Sequence, residues 1–514
     1  MASRRIGRRG LLKAAAGGAT IAALGPRVLP ARAVGKAGGK PNILFIMSDE
    51  HNASVTGCYG NALVRTPHMD RLAARGVTFD AAYCNSPLCV PSRLAFTAGK
   101  YVSRTGAWSN ACWLPSADYP SIAGVMSRAG YEALLCGKMH YDATRRYGFH
   151  EIGGNMNRSR KTGKGGRRKA DDLVPKGGIS ARFKDFHPGE SSILRHDRAV
   201  TAGTVELLGQ RKRGDKPFLL AAGYLAPHFP LIVPEEYWQP YKGKVAMPKI
   251  PPGHLESQVR NWKHLRIGFN VEDAPADIVR KGRELYYGLT QWLDEEIGKV
   301  LKALADSEVA DDTVVIYTTD HGENMGEHGL WWKNCMYEHA ARVPLIVSWP
   351  KRWQAGQRRA EACSIVDVVR TIAELGGGRC GDDWNGDSMV GWLDDPKAAW
   401  KDLAVSEYYA HNICSGCAMI RTGGHKYVYH SRPDEGHPPE RELYDLRADP
   451  GEFSNLASRD EHKRRVERMH AALVKEIGED PETTERRCRE EYARGYGRKD
   501  AAAGGGGKRK GRGQ

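Results

Sequence analysis

A chain of 514 residues, 41 % of them hydrophobic, can bury a substantial core and form one large or two unequal domains. Lysine and arginine number 77 against 61 acidic residues, a formal charge of +16. No nucleic-acid-binding motif accompanies that excess, so nucleic acid is not an expected partner. Part of the charge sits at the ends and in one loop. At the start, Arg8-Arg9-Gly10-Leu11-Leu12-Lys13 fits a twin-arginine export signal, followed by the weakly apolar Ala14 to Leu24 and an Ala31-Arg32-Ala33 cleavage site. Residues 1–33 are therefore read as a leader for the Tat translocase, and a periplasmic or secreted protein is expected. No later stretch is long and apolar enough for a membrane helix, so no membrane anchor is expected. Eleven cysteines are an odd count. Cys414-Ser415-Gly416-Cys417 has C-x-x-C spacing without a matching second pair, which leaves a local disulfide or two ordinary thiols.

Past the leader, Asn42-Ile43-Leu44-Phe45-Ile46-Met47 is apolar without alternation, as expected of a strand buried on both faces of a parallel sheet. It runs into Ser48-Asp49-Glu50-His51. Next, Cys89-Val90-Pro91-Ser92-Arg93-Leu94-Ala95-Phe96-Thr97-Ala98-Gly99-Lys100 predicts a helix beginning at Cys89, with Pro91 in its first turn and Gly99 as its stop. Cys89 then stands at an anion-favouring helix end, with Arg93 one turn on; a buried cysteine before an ordinary helix is the plainer alternative. Tyr131 to Cys136 reads as a strand ending in Gly137-Lys138-Met139-His140, either a polar turn or a cation with an acid/base group facing one cavity. Asn157 to Lys169 is basic, a solvated loop or a contact for an anionic polymer.

Phe218 to Tyr224 is a further strand, leading to Ala226-Pro227-His228-Phe229-Pro230, where a histidine between prolines is either structural or functional. Arg283 to Asp306 has one apolar face and predicts a helix covering the sheet. Thr313 to Thr319 repeats the first pattern: a buried strand ending in Asp320-His321-Gly322-Glu323. Two such ends on one sheet form a metal-competent constellation at the edge where open α/β sheets place ligands. Gly329-Leu330-Trp331-Trp332-Lys333 follows, its lysine beside two indoles. A strand over Arg342 to Pro350, a helix over Ile365 to Leu375 and a Gly376-Gly377-Gly378 break complete this part. Short strand-like pieces at Ala418–Arg421, Lys426–Tyr429 and Glu442–Leu446 then indicate a smaller α+β part.

The Cys89-to-Lys100 string resembles the signature of the type I sulfatases, of the alkaline phosphatase superfamily: C-x-P-S-R, a small/apolar run, then T-x-G-[KR]. Glu440 to Leu446, with Asp449-Pro450-Gly451-Glu452 and Asn455-Leu456, also resembles the sulfatase ending, so the resemblance covers roughly Pro41 to Leu456. It implies that a maturation enzyme oxidises Cys89 to formylglycine, whose hydrated aldehyde attacks sulfur while Arg93 holds it. It implies one divalent metal ion held by Asp49, Glu50, Asp320, His321 and the modified Cys89. Position 50 departs from the aspartate common in the family. Calcium is the expected ion; magnesium is the other oxygen-loving candidate, and the nitrogen of His321 admits manganese or zinc. Lys138 and Lys333 then bind the sulfate, His228 or Lys333 protonates the leaving group, and His140 assists sulfate release.

The fold expected is α/β: a large, mixed, mostly parallel sheet sandwiched by helices, alkaline-phosphatase-like, with a smaller C-terminal α+β subdomain. The expected units are a catalytic domain over 41–377, the subdomain over 378–490 and a disordered basic tail over 491–514. The substrate expected is a sulfate monoester, a sulfated small molecule or polysaccharide, with carbohydrate favoured over choline sulfate or an aryl sulfate. Two other readings compete: a phosphonate monoester or phosphodiester hydrolase of the same superfamily, and a non-catalytic binder of sulfated glycan.

Overall fold

The computed structural model describes residues 39–154, 156–157 and 166–495; the leader, positions 158–165 of the basic loop and positions 496–514 of the tail lie outside them. Eight strands form one sheet: β1 (Asn42–Ser48), β2 (Val77–Tyr83), β3 (Glu132–Gly137), β4 (His150–Ile152), β5 (Phe218–Gly223), β6 (Thr313–Thr319), β7 (Leu345–Ser348) and β8 (Gln357–Ser364). Their order is β8-β2-β7-β6-β1-β5-β3-β4. Only β7 runs against its neighbours; every other pairing is parallel.

Position in the sheet explains the sequence pattern. β1 lies between β5 and β6 with its apolar residues fully buried, so it tolerates no polar alternation. Phe45 on one face stacks on Phe96 of helix α1 (Cys89–Ala98), ring centres 4.3 Å apart. Leu44 and Ile46 face the other way, into the core that holds Leu285, Leu289 and Leu293 of helix α3 (Ala276–Asp306). Helix α2 (Ser192–Gln210) lies on the α3 side, and helix α4 (Ile365–Leu375) on the α1 side. α3 begins two turns before the expected Arg283: Pro275 stands at its N-cap, and Ile278 and Val279 of its first turns already pack against the core. The strand expected over Arg342 to Pro350 shrinks to β7, since the prolines at 344 and 350 carry no N–H for the ladder.

Register aligns the strand ends. Met47 pairs with Gly223 and with Thr318, and Gly137 pairs with Gly223. The residues that follow β1, β3, β5 and β6 therefore emerge side by side along one carboxyl edge. Glycine is needed there: a Cβ on Gly223 would overlap the Lys138 carbonyl.

The smaller sheet is antiparallel, β9 (Leu403–Tyr408), β10 (Cys417–Thr422), β11 (His425–His430) and β12 (Glu440–Asp445) in that order. Ala418 and Ile420 face helix α5 (Lys463–Ile477), while Cys417 and Met419 face Trp262 and Met336 of the larger part. This sheet begins later than the expected boundary at 378. Trp384, Met389 and Trp392 still belong to the large core, Trp392 lying 5.3 Å from the Phe79 ring. The last helix, α6 (Pro481–Arg494), extends into the segment expected to be a disordered tail. Every cysteine is a free thiol, so Cys414 and Cys417 are ordinary buried thiols. No helix among the described residues is long and apolar enough to cross a membrane.

One buried charge cluster ties the two parts together. Lys426 of β11 is fully buried, 2.7 Å from both Glu338 and Glu452, and donates to the Met336 carbonyl at 2.8 Å. The carboxylates share it unequally. Burial opposes ionisation of both, yet Lys426 and Arg342 hold Glu338 down to about 2, while Glu452 is pushed up to about 7. Lys426→Met is expected to destabilise the protein by about 3–5 kcal/mol, because it leaves Glu452 buried without a counter-ion while Glu338 keeps Arg342. Without the lysine the folded-state pKa of Glu452 rises further above its unfolded value and that of Glu338 is depressed less, so the loss grows as pH increases. Thermal unfolding should show a larger deficit near pH 8 than near pH 5.5.

Candidate active site

Helix α1 delivers Cys89 at its first position and Arg93 one turn later, both fully buried. All three nitrogens of Arg93 donate: Nε to Asp320 Oδ2 at 2.7 Å, Nη2 to Asp49 Oδ2 at 3.1 Å and to the Ser48 carbonyl at 3.0 Å, Nη1 to the Lys138 carbonyl at 2.6 Å. The guanidinium thus takes one oxygen from each strand-end aspartate and turns the other inward. Arg93 is in this arrangement a positioning residue rather than a group facing the helix end.

The inward atoms converge. Asp49, Cys89, Asp320 and His321 each present a ligand atom, all within 4.8 Å of one another. His321 donates from Nδ1 to the Gly322 carbonyl at 3.1 Å, which leaves Nε2 facing the Cys89 sulfur at 3.2 Å. The same Nε2 stands 3.8 Å from Asp49 Oδ1 and 3.6 Å from Asp320 Oδ1, beyond hydrogen-bond reach. Two carboxylate oxygens, an imidazole nitrogen and residue 89 turned to one point fit a divalent cation. Burial alone would raise Asp49, but Lys138, His228, Arg93 and His321 hold it well below the carboxylate range, so it stays ionised.

Glu50 stands apart from those four. Its backbone is left-handed, φ 65°, braced by Tyr286 of α3, whose hydroxyl donates to the Glu50 carbonyl at 2.6 Å. Its Oε2 lies 2.9 Å from Lys333 and 3.2 Å from His228, and its carboxyl lies beside that of Glu323. With Asp49 and His228 it forms a second convergent group. Burial pushes the Glu50 carboxyl upward, against Lys333.

Three loops supply the remaining predicted residues. Lys138, just past β3, pairs with the same Asp49 oxygen as Arg93. His140 follows with φ 60° and a buried, unpartnered Nδ1, and burial and Lys138 keep it neutral. Asp197 of α2 accepts from the Leu225 and Ala226 N–H groups at 2.8 Å and so fixes the His228 loop. His228 Nδ1 bonds the Phe229 carbonyl, leaving Nε2 to accept from Lys333 Nζ at 2.8 Å. Glu323 orients the Lys333 loop, accepting from the Trp332 N–H at 2.6 Å. Burial and Lys333 hold His228 well below its usual range. Lys333 moves the other way: burial opposes its charge, but Cys89, Glu50 and Asp49 raise it. The proton of this pair therefore sits on Lys333.

Every residue predicted from sequence thus lies at this one edge. Sequence reasoning did not assign Glu323, although it stood in the quoted Asp320-His321-Gly322-Glu323 string. Nor did it find Asp197, Tyr286, Arg182 or His411, which come from helices and loops without a motif.

A buried, cation-rich pocket at the carboxyl edge of a mostly parallel sheet is suited to an enzyme acting on an anionic ester. Residues 41–378 match the sulfatase family profile, and residues 326–479 the C-terminal profile of N-sulphoglucosamine sulphohydrolase. The chain belongs to the sulfatase family and is a sulfuric ester hydrolase. It is 29 % identical over 452 residues to the choline-sulfatase of Rhizobium meliloti (strain 1021), covering 82 % of this chain and 83 % of that protein. It is 26 % identical over 503 residues to an N-acetylglucosamine-6-O-sulfatase of Bacteroides thetaiotaomicron, covering 84 % and 86 %. In fold it is similar to the phosphonate monoester hydrolase of Agrobacterium radiobacter, with a TM-score of 0.70 at 22 % identity over 85 % of this chain and 95 % of that one.

If the four-residue group holds a divalent ion, that ion stabilises the folded chain. Calcium at a hundredfold excess over its Kd is expected to add about 2.7 kcal/mol to stability. The rise in Tm should vanish on chelation and in Asp320→Asn.

Proposed function

We propose that the enzyme hydrolyses a sulfate monoester on a carbohydrate, with formylglycine made from Cys89 as nucleophile and one divalent ion, calcium first, in the Asp49–Cys89–Asp320–His321 group. The observation that carries this reading is the environment of Cys89. Burial, with Asp49, pushes its thiol up to about 12, so an unmodified thiol at this position is a poor nucleophile at neutral pH. Yet it stands at a helix end among cations, its sulfur 3.2 Å from the His321 Nε2 that faces the same point. A hydrated aldehyde supplies the hydroxyl nucleophile that the thiol does not, and a bound cation supplies Lewis-acid charge to the sulfate oxygens.

The chain's own groups do the rest. Arg93 fixes the two aspartates; Lys138 and Lys333 place positive charge where the sulfate oxygens come to lie. Lys333 Nζ holds a proton for the departing alcohol, oriented by His228 Nε2 and Glu50 Oε2. His140, neutral and unpartnered at Nδ1, is placed to accept a proton during sulfate release. Carbohydrate is favoured over choline because one family relative acts on N-acetylglucosamine 6-sulfate and the C-terminal profile is that of a sugar sulfohydrolase. The twin-arginine leader supports export through the Tat translocase to the periplasm or beyond.

The test pairs mass with turnover. In protein coexpressed with its maturation enzyme, the tryptic peptide carrying residue 89 is expected about 18 Da below its thiol mass. The same protein should release sulfate from glucosamine 6-sulfate faster than from choline sulfate. An intact thiol in active protein would remove formylglycine from the reading. Turnover of bis(4-nitrophenyl) phosphate alone would move the substrate class to phosphodiesters.

A further inference from the structure

The aromatic faces at the rim of the site already carry a cation of the chain itself. Arg182 lies on the short turn Ala181–Asp185 and is exposed. Its guanidinium carbon stands 4.6 Å from the ring centre of Trp332, 4.8 Å from Phe229 and 5.4 Å from Phe269. Among the described residues no carboxylate stands within ion-pair distance of it, although Glu50 and Glu323 attract its charge from further off. Phe229 in turn stacks on His228 with ring centres 4.4 Å apart, and Lys333 Nζ stands 5.1 Å from its centre. Two cations thus share one phenyl ring: Lys333, inside the site, and Arg182, at its rim.

His411 belongs to the same rim. Its carbonyl accepts from the Tyr408 hydroxyl at 2.9 Å, and that hydroxyl accepts from Asn334, next to Lys333, at 2.8 Å. Burial, Lys333 and Arg182 together hold its imidazole down to about 4, so it offers a neutral N–H rather than a charge.

A guanidinium lying over three rings is fixed in orientation, and its edge keeps N–H donors in the fork that matches an oxyanion. Glu50 and Glu323 attract the guanidinium without pairing directly with it, so its donors stay open to a ligand. The same placement works against cationic substrates: a quaternary ammonium seeking the ring faces would meet Arg182 on them.

We propose that Arg182, with His411, forms a second anion subsite, and that the preferred substrate carries a further sulfate or carboxylate besides the ester cleaved. This rests on the carbohydrate-sulfatase reading and narrows it to polyanionic saccharides.

Binding separates the two claims. Calorimetry on the full-length, unmatured protein, which keeps its Cys89 thiol, would compare glucosamine 6-sulfate, glucosamine 2-N,6-O-disulfate and a 6-sulfated disaccharide bearing a uronate. At least one dianion is expected to bind about tenfold or more tighter than the monosulfate, the tighter one showing whether sulfate or carboxylate is read. In Arg182→Gln the ratio should fall to within about twofold, and Arg182→Lys should keep part of it. Equal binding of all three ligands, or a ratio that survives Arg182→Gln, would overturn the subsite. Failure of the matured enzyme to release sulfate from any of them would overturn the sulfatase reading instead, because the binding ratio is read without turnover.

Discussion

Cys89→Ala, produced alongside the maturation enzyme, is expected to release sulfate at least about 10⁴-fold more slowly than the parent protein. The size follows from the position. Burial, with Asp49, pushes the thiol up, so neither a protonated thiol nor a methyl offers a strong nucleophile there. Protein made without the maturation enzyme should therefore match Cys89→Ala in rate while keeping its thiol mass. If that unmatured protein instead turned over at the matured rate, residue 89 would be acting as a cysteine and the aldehyde would be unnecessary. Folding is not the confounder: alanine at the first position of α1 costs little helix propensity, and the neighbouring aspartates remain tied to Arg93.

What the sequence disclosed follows from where each residue sits. β1 and β6 are central strands buried on both faces, so their apolar runs read directly, and the acidic residues after them marked the ligand edge. β8, Gln357-Arg358-Arg359-Ala360-Glu361-Ala362-Cys363-Ser364, is an edge strand whose exposed residues hide it as a polar stretch. Cys89, Arg93, Lys138, His228, Asp320 and Lys333 were legible because each lies in a short string at a strand or helix end. Their actual pairing was not. That Arg93 would be consumed by Asp49 and Asp320, or that Glu50 would turn to Lys333 through a left-handed backbone, depends on strand register and on Tyr286 from a helix far along the chain. Arg182 and His411 carry no motif at all; they reach the rim only because the 181–185 turn packs on Trp332 and the loop after β9 packs beside Asn334.

Removing either member of the Lys333–His228 pair should cost more with poor leaving groups than with good ones. A sugar alkoxide must be protonated as it departs, whereas 4-nitrophenolate leaves unaided, and a positioned general acid contributes about 10²–10⁴-fold. Lys333→Ala is therefore expected to slow glucosamine 6-sulfate hydrolysis by about 10³-fold or more, and 4-nitrophenyl sulfate hydrolysis by a smaller factor that reflects lost sulfate binding alone. His228→Ala should show the same leaving-group dependence with a smaller loss. The ordering comes from where the proton resides. Glu50 at 2.9 Å and the nearby Asp49 favour the ammonium, while burial and the ammonium itself disfavour an imidazolium 2.8 Å away. His228 then acts by accepting from Nζ and aiming it, a role that alanine removes without removing the acid. A larger loss in His228→Ala than in Lys333→Ala on the sugar substrate would reverse the assignment and make the imidazole the proton donor. Equal losses on sugar and aryl sulfates in both variants would mean that the pair binds sulfate and protonates nothing.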